Sequence, residues 1–147
     1  MTEIIRGPFY RKPHPTVNAL TTTARRSPAP LALMGVIFWL SAQPDLDSGL
    51  GSVDAIGRKL VHVACYCGLT LLWFWALRPL LPSRSALLTA GLIALLYAIS
   101  DEFHQSFVEG RDGRPLDVAI DLVGVLIASL LLRYDPRVRS VLDWEEP

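Results

Sequence analysis

Ten acidic, basic and amide side chains crowd into residues 100–121: Asp101, Glu102, His104, Gln105, Glu109, Arg111, Asp112, Arg114, Asp117 and Asp121. Carboxylates at this density can bind a divalent cation, act as general bases, or balance nearby cations. The flanks make the crowding unusual. Residues 86–99 carry no charge and residues 118–132 carry one. An ionisable group near hydrocarbon costs about 2.5–3.5 kcal/mol unless it finds a partner or water.

Spacing adds to type. Lys59, His62 and Tyr66 fall at i, i+3 and i+7, one stripe of a helix. Asp117, Asp121, Gly124 and Ala128 form a second stripe, with Asp121 about 6 Å deeper than Asp117. Gly124 and Ala128 make a small-xxx-small pair suited to close helix approach. Lipid disfavours polar stripes, so both should face the inside of a bundle.

The elements that must carry these stripes are four apolar blocks: residues 29–42, 60–77, 86–99 and 116–132. The expected fold is all-α, a polytopic membrane bundle of four transmembrane helices. Each block is shorter than the ~20 residues that cross a bilayer, so polar residues at the block ends must help complete the spans. The division expected is a flexible basic N-terminal tail (1–27), a four-helix transmembrane domain (28–133) and a C-terminal cytoplasmic tail (134–147).

Four spans put both termini on one side. Arg6, Arg11, Lys12, Arg25, Arg26, Arg78, Arg84, Arg133, Arg137 and Arg139 lie on that side, against Arg58, Lys59, Arg111 and Arg114 on the other. The positive-inside rule then makes both termini cytoplasmic. The same topology gathers Gln43, Lys59, His62, Asp101, Glu102, Gln105, Arg111, Asp117 and Asp121 at the outer rim. Trp73 and Trp75, near the cytoplasmic end of the second block, suit an interfacial belt.

Several classes are disfavoured. Net charge is zero, so nothing points to nucleic acid. Residues 1–27 lack the apolar core of a secretory signal. Arg25-Arg26 reads as a basic anchor before the first helix rather than a twin-arginine signal. Cys65 and Cys67 point about 200° apart on a helix, and no disulfide is expected. There is no phosphate-cradling glycine loop and no nucleophile elbow; Gly110 and Gly113 should let the chain turn. Residues 102–105 lack the paired histidines of a zinc helix, so no metal set and no cofactor is assigned.

The same residues resemble the VanZ-like family of small bacterial membrane proteins. Ser41-Ala42-Gln43-Pro44 matches its serine and glutamine after the first helix, and Lys59, His62 and Tyr66 match its lysine, histidine and tyrosine. Asp101-Glu102, Gln105, Gly110-Arg111 and Asp117 match its most specific segment. The likeness covers about residues 31–132. Two positions depart: Arg58 stands where aspartate is frequent, and Asp121 where asparagine is common. The resemblance implies a cell-envelope role, and the founding members are associated with teicoplanin resistance.

The expected ligand-binding set is Lys59, His62, Tyr66, Glu102, Gln105, Arg111, Asp117 and Asp121, with no catalytic residue assigned. The expected ligand is an envelope lipid or glycopeptide-related molecule, for instance a polyprenyl-phosphate or peptidoglycan-precursor lipid. Lys59, Arg111 and Arg114 would meet phosphate. Other readings stay open. One is a hydrolase of a lipid-linked substrate, with Glu102 or Asp117 as base. Another is ion conduction through Asp121 and His62. The last is a structural protein whose charges only fix helix register. Beyond the bilayer itself, a homo-oligomer is the one protein partner considered.

Overall fold

Prolines set the starts of the helices. In the computed structural model, which describes residues 15–44, 52–111 and 113–142, four of the six helices open on one. They are α1 (Pro15–Arg26), α2 (Pro28–Ser41), α5 (Pro115–Tyr134) and α6 (Pro136–Val141); α3 (Ser52–Leu77) and α4 (Ser83–Gln105) complete the set. At the first helical position the missing N–H costs nothing and the fixed φ already suits a helix. No strand occurs among the described residues.

α3, α4 and α5 are long and apolar enough to cross a membrane, over Ile56–Leu77, Ser83–Gln105 and Pro115–Tyr134. On this measure three of the four expected spans are found, and α2 is not among them. α2 has 14 residues, about 21 Å at 1.5 Å per residue, short of the hydrocarbon core. The three spans include polar ends that the apolar blocks left out, such as Gly57 to Lys59 and Ser100 to Gln105.

The tails are more helical than expected. Residues 15–26 form α1, and the backbone bonds Ser27 N to Thr23 O (2.9 Å) and Leu31 N to Ser27 O (3.2 Å) carry the turn across into α2. After α5, the Asp135 side chain accepts from the N–H groups of Arg137 and Val138 and starts α6. Arg6, Arg11, Lys12, Asp112 and the end of the C-terminal tail, with Trp144, lie outside the described residues.

α4 shows how the bundle packs. Ala86, Ala90, Ala94 and Ala98 are fully buried, whereas Leu88, Leu92 and Leu96 look outward. A water-soluble helix would reverse that arrangement. In lipid there is no hydrophobic drive between helices, so small residues inside let backbones approach closely while leucines meet acyl chains. α5 does the same: a Cβ on Gly124 would run into the Val63 carbonyl oxygen and lie 2.9 Å from Cys67 N on α3. Tyr66, Leu69, Phe74 and Leu132 fill the interior.

α2 is tied in from both ends. Tyr97 Oη donates to Met34 O at 2.6 Å. Just before α2, Arg26 Nη1 donates to Trp75 O at 2.9 Å, and the guanidinium stacks over the Trp75 ring at 4.6 Å. Trp73 is half-buried and packs against the core.

Candidate functional site

The two polar stripes meet in register. Lys59 Nζ stands 3.0 Å from Asp117 Oδ1, with the two side chains 46% and 27% exposed. One turn deeper, His62 Nδ1 lies 3.1 Å from Asp121 Oδ1, and the Asp121 side chain is 1% exposed. The match follows from the helical offsets: three residues on α3 and four on α5 each advance about one turn.

α4 brings the next layer. Asp101 and Glu102 are adjacent in sequence and both are buried, because the end of α4 is sandwiched. Asp101 turns to α2, where Ser41 Oγ donates to its Oδ2 at 2.8 Å. Glu102 turns toward the loop before α5, where Arg114 N donates to its Oε2 at 3.1 Å. Gln105 Nε2 lies between them, 3.0 Å from Asp101 Oδ2 and 3.4 Å from Glu102 Oε1. The loop can come this close because residue 113 is glycine: a Cβ there would collide with the Glu102 carbonyl oxygen. Gly110 supplies the positive φ of 77° that the turn needs.

Arg111 closes the open end of α2. Its Nε and Nη2 each donate at 3.2 Å, to Gln43 O and Leu40 O. A cation at a helix C-terminus also meets the negative end of the dipole. Burial, and then the neighbouring charge of Arg58, pull the Arg111 pKa below its usual value. A guanidinium has so much range that it remains a cation.

Between α2 and α3 lies a cavity of ≈ 450 Å³, within the range of small-ligand sites. Ile37, Leu40, Val61 and Cys65 give it an apolar wall; Ser41, Asp54, Arg58, His62, Tyr66 and Arg111 make it polar. His62 and Ser41 therefore serve twice, lining the cavity and holding Asp121 and Asp101 behind it. Three polar atoms in this region are buried without a hydrogen-bond partner: Tyr66 Oη, Asp101 Oδ1 and Asp121 Oδ2.

Of the expected set, His62 and Tyr66 line the cavity, Glu102 and Asp121 cluster with His62, and Gln105 bonds Glu102. Lys59 and Asp117 pair with each other above that cluster, and Arg111 borders the cavity from the loop. His104 leaves the cluster and stacks on Phe38 at 4.3 Å. Three residues outside that set belong to the site. Ser41 was visible as part of the Ser41–Pro44 motif, and Arg58 as a departure from the family pattern. Asp101 stands in the rim cluster and the family pattern but outside the expected ligand-binding set, and the structure buries it beside Glu102.

Three apolar spans enclosing a polar cluster at one end define an α-helical membrane protein. The sequence profile of the VanZ/LLP1 family matches residues 9–135, and the chain belongs to that family. The match begins well before residue 31, so much of the N-terminal segment belongs to the family region. No curated protein and no solved structure matches the chain.

Proposed function

We propose that this VanZ/LLP1 protein binds the phosphate-bearing headgroup of an envelope lipid at the extracytoplasmic rim of a bacterial inner membrane. The observation that carries the reading is the cavity between α2 and α3, with an apolar wall and two arginines, Arg58 and Arg111, on its lining. Two guanidiniums near enough to repel each other suit a doubly acceptor-rich anion such as phosphate. The apolar wall suits the first carbons of a lipid. Arg58 and Arg111 replace Lys59 and Arg114 as the phosphate contacts, since the first two line the cavity and the other two do not.

The run from Arg26 to Ser41 touches α3 near its far end and α4 at the rim. This supports α2 as a fourth crossing, with both termini on the cytoplasmic side. A polyprenyl-phosphate or peptidoglycan-precursor lipid has the required chemistry, and the latter would connect the site to glycopeptide resistance.

Titration of the detergent-purified protein with a polyprenyl phosphate, read by native mass spectrometry, tests the reading. Arg58→Ala, and Val61→Trp which fills the cavity, should each weaken binding at least tenfold, about 1.4 kcal/mol. Lys59→Ala should leave it intact. Equal binding by wild type and Val61→Trp would overturn the proposal.

A further inference from the structure

Behind the cavity floor, α3, α4 and α5 each contribute one potential metal ligand. A donor atom from His62, from Glu102 and from Asp121 all lie within 4.8 Å of one another. Acidic clusters occur without ions, and the free atoms here are what set this one apart. Asp121 is fully buried, and its Oδ2 accepts no hydrogen bond. Asp101, 2% exposed, shares the Gln105 amide with Glu102, and its Oδ1 is likewise without a donor. Buried carboxylate oxygens are ordinarily satisfied, and a bound cation is one way to satisfy an exception.

We propose that His62, Glu102 and Asp121 hold a divalent cation of the Mn²⁺ or Zn²⁺ kind. Ligands about 2.1 Å from a six-coordinate ion stand about 3 Å apart. The His62–Asp121 pair is at that spacing already, at 3.1 Å. A Glu102 oxygen lies within 4.8 Å of both, and a small shift of the carboxylate that keeps its contacts to Arg114 N and Gln105 Nε2 would bring it to the ion. One imidazole with two carboxylates favours Mn²⁺ or Zn²⁺ over Ca²⁺ and Mg²⁺, which prefer all-oxygen shells. Binding replaces any proton shared between His62 and Asp121, which leaves the site to solvent.

The surroundings fit a supported ligand set. Arg114 N and Gln105 Nε2 orient Glu102, the kind of outer contact that fixes a metal-binding carboxylate. His62 and Tyr66 line the cavity, so open coordination positions on the ion would face whatever enters it. The assignment does not rest on lipid binding. The ligands come one from each of three helices, which is why no local spacing in the sequence marks them.

The test is Mn²⁺ binding to the full chain in detergent after chelation with EDTA, followed by electron paramagnetic resonance. One Mn²⁺ per chain is expected, displaced by Zn²⁺. The bound Mn²⁺ should show a directly coordinated imidazole nitrogen, a signature read on the wild type alone. Asp121→Asn and Glu102→Gln should each weaken binding tenfold or more, and His104→Ala should not. No Mn²⁺ above the level of protein-free detergent, or a bound ion without the nitrogen signature, would overturn the proposal. So would unchanged affinity in folded Asp121→Asn or Glu102→Gln protein. Loss of polyprenyl phosphate binding in Val61→Trp leaves all these readouts unaltered, so the two proposals fail separately.

Discussion

The two ends of α4 present the same face to the bundle and fill it in opposite ways. From Ala86 to Ala98 the face is four alanines packed against the core, each buried and without a polar atom in its side chain. From Asp101 to Gln105 it becomes Asp101, Glu102 and Gln105, equally buried and joined through Ser41 and the Arg114 amide. Close backbone approach holds the first half together. The second half carries groups that hydrocarbon disfavours, and one Asp101 oxygen stays without a donor. Stability is concentrated in the alanine half, and unmet binding capacity in the acidic half.

Substitutions can break this contrast from either side. The largest effect should come from Gly124→Leu, which drives a side chain into the Val63 carbonyl of α3. It should destabilise by about 3 kcal/mol or more, seen as loss of folded protein in a detergent denaturation series. Ala94→Leu overfills the alanine face and should cost about 2 kcal/mol in the same series. A tolerated leucine there would show that α4 is held by its acidic end instead. Ser41→Ala removes one donor to Asp101 and should cost about 1–2 kcal/mol. Lys59→Ala should cost less than about 1 kcal/mol in a thermal melt, because both partners of that ion pair are partly exposed. A larger loss would mean the outer pair holds α3 to α5, and would move stability toward the rim.

Much of this arrangement was legible in the sequence because it depends on helical period. The Lys59–His62–Tyr66 and Asp117–Asp121–Gly124–Ala128 stripes needed only 3.6 residues per turn to be set face to face. The inward alanines have no signal in block hydropathy, because a helix's mean value does not say which of its faces meets lipid. α1 and α6 were taken for tails, since their polar composition hides helices whose starting prolines resemble breakers. α2, with 14 residues, is the block whose crossing its own length does not decide; contacts at both of its ends carry that information. The cavity depends on how far α2 stands from α3, which long-range contacts such as Tyr97 to Met34 and Arg111 to Leu40 decide. No local pattern encodes such a distance.

A guanidinium carries five N–H donors, and Arg111 commits two of them to the carbonyls that end α2. The same side chain borders the cavity. If the cavity binds the headgroup proposed above, Arg111 is a tether and a receptor at once. An anion captured by its remaining donors would pull on a rod already fastened to it, so filling the cavity would tighten or slacken α2 without any separate relay.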